Sequence, residues 1–503
     1  FDIPEDFEWL MPDRIALHEA TVSGATGLTE AFFPEWGGEG GRFIKMKIVV
    51  PNVTDKRVKI GAYELASGEV EVSWDGGETY SSDLVHTYEE PGEYDIVVNG
   101  DFRSIGNHPQ KHALVSRVAT PTNSIAKDVE FGKGLVHFVE IGDYAFDKFS
   151  TTETTWLVNL SIPNSIRRIG AYAFRNNSPA GIYVGSNVSE VGNYAFAYNH
   201  GESTAEFACG SDAMGGYVLA YSSNLSSVVV SDGWTSIPNG FLRECTAIDT
   251  FTIPAGVRSI GGHAFYGCNN LVISELPQGL ASIGEYAFSR SVSVVEEIPD
   301  SVVSIGQYAF FATAITRITL PSSLTSIGRM CFGNCGRLAA IDTGKVTELK
   351  TIPADFATEA KIAEFIIPEG VEEIAQRAFK NCTDLRTIRL PSTLRVGLDE
   401  HYYGSIGPEA FYGCVNVTDI YCAAKDAPSA REANPSMTGS VYDKAFGDAS
   451  ANYVGRNTYS AKTNKLHVPV GATGYGTTSG ITSDWKNTLC STSKCGFTLV
   501  YDL

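Results

Sequence analysis

Apolar residues recur along most of the chain in one repeated phrase, Ile-Gly-x-Tyr-Ala-Phe. It occupies residues 141–146, 169–174, 191–196, 260–265, 283–288 and 305–310, with looser copies at 214–219, 327–332, 374–379 and 406–411. Copies at 237–241 and 352–356 are one residue shorter. From Phe174 to Phe379 the steps are 22, 23, 22, 24, 23, 22, 22, 24 and 23 residues. A fixed period in the twenties predicts a solenoid, whose turns each contact only their neighbours.

One unit shows the elements. Ile318 and Leu320 alternate with Arg317 and Thr319, which predicts a short strand with one face inward. Pro321, lacking an amide, ends it. Leu324 and Ile327 begin a second extended piece, and Gly328 is expected to permit a tight bend. Cys331, Phe332 and Cys335 then share one face of a single helical turn. Stacking such units predicts a buried column of Phe146, Phe174, Phe196, Phe265, Phe288, Phe310, Phe332 and Phe379. Beside it runs a partial column of Tyr144, Tyr172, Tyr194, Tyr217, Tyr286 and Tyr308. Tyrosine half-buried with its hydroxyl at the edge is the ordinary form of such a column, and glycan stacking is its rarer use.

Residues 1–105 lack the repeat. Alternating strands at 43–50 and 69–74, the turn Asp75-Gly76-Gly77, and the strand–turn–strand pattern from His86 to Val98 predict a small β-sandwich. Phe7-Glu8-Trp9 adds to it. Residues 106–124 read as a linker by composition, so a cut there is expected to leave two folded parts. The solenoid with its terminal cap then takes 125–503, opening on the irregular strand Val129-Glu130-Phe131. Insertions interrupt its rhythm near 149–155, 395–405 and 425–440; in solenoids insertions go to loops and often carry recognition. The predicted fold is thus mainly β with short helical turns.

Composition narrows the function. The 503 residues are 43% apolar, and 38 basic against 58 acidic residues give a net charge of −20. Nucleic acid needs a basic face and is excluded as a partner. No run of 18 apolar residues spans a membrane. Phe1-Asp2-Ile3-Pro4 is no signal peptide, and the expectation is that a targeting segment has been removed. Of the ten cysteines, Cys268, Cys335, Cys382 and Cys414 sit three residues after the repeat phenylalanine and Cys245 four after. They read as small core residues. In an exported chain, Cys490 and Cys495 are candidates for a local disulfide.

Two resemblances follow from these residues. Val72-Ser73-Trp74-Asp75-Gly76-Gly77, with His86-Thr87-Tyr88 and Pro91-Gly92-x-Tyr94, resembles PKD-type immunoglobulin-like domains, although the usual Gly-Asp-Gly turn is altered. The units Ile-x-x-Ile-Gly-x-Tyr-Ala-Phe-x-x-Cys and Ile-x-Leu-Pro-Ser-Ser-Leu, with Val468-Pro469-x-Gly471 and Trp485-Lys486, resemble BspA-like surface leucine-rich repeats. That resemblance implies a bacterial cell-surface location and adhesion to host matrix proteins or to other cells. It implies no catalytic residue.

Candidate chemistry is sparse. H-E-x-x-H, G-x-S-x-G and G-x-x-x-x-G-K-[ST] do not occur. His108 and His112 have the spacing of helical metal ligands, but Pro109 stands between them; no metal and no cofactor is expected. Glu275 and Glu297 should stack one turn apart, about 5 Å at strand spacing. That separation suits a retaining glycosidase pair, and equally any two surface glutamates. Outward strand positions hold Thr250, Thr252, Glu275, Glu297, Arg317, Thr319, Glu364, Thr387 and Arg389. The 395–405 insertion adds His401, Tyr402 and Tyr403, adjacent aromatics outside the core pattern. The reading is a non-enzymatic, exported adhesion scaffold that binds extracellular matrix or cell-surface proteins. A carbohydrate-binding module is the alternative, and a glycan-active enzyme a distant third.

Overall fold

The computed structural model of the chain describes residues 41–106, 113–148, 157–201, 203–291, 296–395, 405–429, 446, 464–476, 485, 489–490 and 497–503. The expectations for residues 1–35, His108 and His112, the 149–155 insertion, His401, Tyr402 and Tyr403, and Cys495 lie outside these. The chain divides into two compact units, Phe1–Pro254 and Ala255–Leu503.

Among the described residues, the first unit begins with eight strands. They are β1 (Phe43–Val50), β2 (Arg57–Ile60), β3 (Tyr63–Ser73), β4 (Val85–Thr87), β5 (Gly92–Ile105), β6 (Val115–Arg117), β7 (Thr120–Ser124) and β8 (Ala126–Phe131). β1 shows why strands form here: Ile44, Met46, Ile48 and Val50 are buried, and the residues between them face outward. The eight make two antiparallel sheets, ordered β3-β5-β1-β8 and β4-β2-β6-β7. The stretch that composition reads as a linker therefore carries β6 and β7. Leu114 and Val115 are fully buried. Pro121 is accommodated because β7 is the edge of its sheet, where a missing amide is tolerated.

The repeats are hydrogen-bonded straight onto these strands. β9 (Glu140–Ile141) pairs in parallel with the end of β5, Ser104 opposite Glu140 and Ile105 opposite Ile141. β10 (Asn159–Leu160) pairs in parallel with β8. β11 (Arg168–Ile169) stacks on β9, and Glu190–Val191 stacks on β11. A second parallel ladder joins Gly181–Val184, Ser203–Phe207 and Leu225–Val230.

The second unit repeats the scheme. Ser259–Ile260, Ser282–Ile283, Ser304–Ile305 and Ser326–Ile327 form one parallel ladder. Glu364–Ile366, Thr387–Leu390, Asp419–Cys422, Lys465–Val468 and Thr498–Tyr501 form another. The eight predicted core phenylalanines are all 0% exposed. Within the first unit Phe146, Phe174 and Phe196 stack at 5.4 and 5.2 Å. Within the second, Phe265, Phe288, Phe310 and Phe332 stack at 5.4, 5.3 and 5.6 Å.

Two local expectations are corrected. The stretch after the glycine is not a helical turn: Met330 and Asn334 are left-handed, with φ of 56° and 57°. The matching positions in other units, such as Tyr308 and Ala312 (φ 57° and 56°), repeat the alternation. The repeat glycine, in turn, serves close approach of neighbouring turns rather than a bend. A Cβ at Gly306 would lie 2.4 Å from the amide nitrogen of Glu285, and one at Gly328 2.2 Å from that of Gln307. Gly306→Val is therefore expected to cost about 1–3 kcal/mol by overpacking. Gly336→Val, where a Cβ meets nothing within 4 Å, is the control. Chemical denaturation of both variants measures the difference.

The cysteine position also does more than fill space. Cys335 Sγ donates to the carbonyl of Phe310 at 3.0 Å, Cys382 Sγ to Ala357 at 3.1 Å and Cys414 Sγ to Phe379 at 3.0 Å. Asn177, Ser291 and Thr313 occupy the same place and donate to phenylalanine carbonyls at 2.9, 2.5 and 2.8 Å. The column adds a second donor to buried carbonyls such as Phe310 and Phe379, which already accept main-chain amides from Thr313 and Cys382. Burial pushes the Cys245 thiol up to about 12, which keeps it protonated and unreactive.

Candidate binding surface

In the second unit the parallel register sorts outward side chains into two rows. One runs Glu364, Thr387, Asp419, Lys465, Thr498; the other runs Ile366, Arg389, Tyr421, His467, Val500. Between them Phe365, Ile388, Ile420 and Leu466 point inward and are buried. The rows are joined diagonally by charge. Arg389 Nε donates to Glu364 Oε1 at 3.0 Å. His467 Nε2 lies 3.2 Å from Asp419 Oδ1, and its Nδ1 lies 2.9 Å from Asp502. The Arg389 guanidinium sits 4.4 Å from the centre of the Tyr421 ring, and the other face of that ring stacks on His467 at 4.3 Å and 9°.

The other predicted residues are placed as follows. Glu297 is 67% exposed and receives Lys345 Nζ at 3.0 Å; its strand partner is Thr319. Glu275 is exposed, as is Arg317. Arg317 lies beside Ala340, away from Arg389. The structure brings Glu364 and Arg389 together and leaves Arg317 and the Glu297–Lys345 pair as separate surface features. Exposed pairs of this kind contribute little stability. Tyr421 and His467 were not singled out in the sequence. Asp419-Ile420-Tyr421-Cys422 does alternate, so an outward Tyr421 was readable. Its place beside Arg389 was not, because the spacing between units had already broken.

The tyrosine column is real, and its geometry decides its use. Tyr144, Tyr172, Tyr194 and Tyr217 stack at 5.2, 5.2 and 5.0 Å with planes within 11°. Each is left-handed, φ 58–62°. The ladder ends on Gly240, where a Cβ would lie 2.2 Å from the Tyr217 ring. Neighbouring rings thus cover one another's faces and present edges to solvent. Burial, the first cause, and neighbouring tyrosines push the Tyr144 and Tyr194 hydroxyls above their ordinary value. They stay neutral donors and acceptors.

No helix among the described residues is long and apolar enough to cross a membrane. Residues 139–272, 235–355 and 350–427 match the model of the BspA type leucine-rich repeat region. No curated protein matches the chain. Among solved structures, a leucine-rich cell surface protein from Faecalibacterium prausnitzii is 22% identical, covering 56% of this chain and 82% of that one, with a TM-score of 0.35. A leucine-rich repeat protein from Bacteroides ovatus is 18% identical over 70% and 93%, with a TM-score of 0.39. The pneumococcal vaccine antigen PcpA is 14% identical over 88% and 100%, with a TM-score of 0.40. These likenesses are too low to argue from, and the assignment rests on the repeat match, which spans more than half of the sequence. The chain belongs to the BspA-type leucine-rich-repeat family.

Proposed function

We propose that the chain is an exported, non-enzymatic bacterial surface protein that binds other proteins in adhesion. We read the stacked turns as a leucine-rich-repeat solenoid and the two N-terminal antiparallel sheets as an immunoglobulin-like sandwich. The observation that carries the reading is the pair of in-register outward rows, which array mixed polar and aromatic side chains on a backbone fixed by a buried core. A broad, rigid surface of this kind suits a macromolecular partner, because repeated outward positions make an extended interface. Tyrosine and arginine, the pair joined at Tyr421 and Arg389, are enriched at binding hot spots. Glycan stacking is the weaker reading, because sugars need free ring faces and the tyrosine ladder covers its own.

The 395–405 insertion is the second contact region, through His401, Tyr402 and Tyr403. Purified chain is expected to bind an immobilised panel of extracellular matrix proteins or intact bacterial cells, with affinity that falls as salt rises. A Tyr402→Ala, Tyr403→Ala double variant is expected to bind more weakly. Binding only to a glycan array would move the protein to the carbohydrate-binding class. Binding to none of the three would end the adhesion reading.

A further inference from the structure

Arg389 is held on two sides and open on the third. Stacking on Tyr421 fixes the plane of its guanidinium, and the bond from Nε to Glu364 fixes the rotation within that plane. Tyr421 is itself backed by His467, which Asp419 and Asp502 clasp. The two η nitrogens make no hydrogen bond among the described residues, and the side chain is 45% exposed. Ile366, the residue before Arg389 in the same outward row, is 52% exposed. A fixed cationic fork therefore stands one strand spacing, about 4.8 Å, from an exposed apolar side chain.

We propose that Ile366, Arg389 and Tyr421 form a docking site for a protein partner that presents a carboxylate beside an apolar side chain. This rests on the reading of the outward rows as a protein-binding face and names the chemistry they select. A guanidinium offers parallel N–H groups that match a carboxylate two to two. Holding it in place beforehand removes most of the ordering cost that a free arginine meets on binding. Tyr421 and Ile366 supply the water-excluding surround that such a contact needs. A polyanionic glycan or nucleic acid fits less well. The net charge of −20 repels an extended polyanion, and Glu364 stands at the fork's inner edge. A single carboxylate set between apolar groups meets less of this repulsion than an extended polyanion does.

The test selects a random-peptide phage library on the full chain, with the Arg389→Ala chain for counter-selection. Enriched peptides are expected to carry Asp or Glu next to Leu, Ile, Val or Phe. A synthetic peptide of the enriched sequence should lose about tenfold or more in affinity on Arg389→Lys, which keeps the charge but not the fork. It should lose as much when its own carboxylate becomes an amide. Arg389 is exposed, and an unchanged circular dichroism spectrum and thermal midpoint would show that Arg389→Lys is folded. Enrichment of basic peptides, of purely apolar peptides or of none would overturn the proposal. So would equal affinity for the Arg389→Lys chain. Arg389-dependent binding of a uronic-acid or sulfated glycan, with no peptide selected, would reassign the fork and overturn it too. If Arg389→Lys still binds the matrix proteins that the wild type binds, this site falls while the scaffold reading stands.

Discussion

A chain beginning at residue 132 is expected to be insoluble or aggregated, whereas the whole chain is expected to be a folded species. The reason lies in the ladder. β9 takes its hydrogen bonds from the end of β5, and β10 takes its bonds from β8. Further bonds tie Leu114 to Ala145 and Ser124 to Asp147, at 3.0 and 2.8 Å. Phe131 packs against Phe138 at 5.2 Å and against Phe146 at 6.4 Å. Removing β1 to β8 would uncover two strand edges together with Phe138, Ile141 and Phe146, all fully buried in the chain. An uncapped repeat end with open edges is a template for association. Size-exclusion chromatography and circular dichroism of residues 132–503 make the comparison. A soluble monomer with an unchanged melting profile would mean that the eight strands are a separate domain and no cap.

Phe288→Ala is expected to destabilise the fold by about 3–5 kcal/mol, as deletion of a large buried ring does. Phe288 is 0% exposed and stacks between Phe265 and Phe310 at 5.4 and 5.3 Å. Its main-chain amide also donates to Ala309 of the next turn at 2.8 Å, so a collapse at this ring would disturb both neighbours. In a stack of nearest neighbours, loss at one interior turn weakens two interfaces. Urea denaturation followed by circular dichroism should show the midpoint falling steeply. Tyr286→Ala, at the half-exposed edge of the same turn, is expected to lower it by less. A midpoint unmoved by Phe288→Ala would contradict the register of the whole repeat.

The parts of the fold that the sequence revealed are those carried by a constant period. From Phe174 to Phe379 a large apolar residue returns every 22–24 positions, and burial requires no more than that, so the phenylalanine stack was readable. The role of Gly328 was not, because a glycine needed for a bend and a glycine needed for close approach look alike in a sequence. The distance from its Cβ position to Gln307 separates the two. The same limit hid the cysteine column. Cys335 reads as small and apolar, and only the carbonyl of Phe310 at 3.0 Å shows that its hydrogen-bonding capacity is used. The stretch read as a linker carries β6 and β7 for a different reason. Thr120, Pro121 and Asn123 have loop composition, but an edge strand tolerates it where an interior strand would not.

The binding rows were half legible. Glu364 and Arg389 lie 25 residues apart, close to one period, and both were marked as outward. Tyr421 follows Arg389 by 32 residues, and His467 follows Tyr421 by 46. At those spacings counting fails, and only strand pairing places all three in one row. Glu297, also marked as outward, is taken up by Lys345 from a later turn.

The most direct test of the account is a binding comparison between the whole chain and a Glu364→Lys, Arg389→Glu, Tyr421→Ala variant. All three changes are in outward positions, and circular dichroism with thermal denaturation would show that the variant keeps the fold. Both proteins would be titrated against immobilised matrix proteins and intact bacterial cells at low and physiological salt. The wild type is expected to bind at least one of these partners, and the folded variant to bind it at least about tenfold more weakly. Equal binding by the two, or no binding by the wild type, would contradict that expectation.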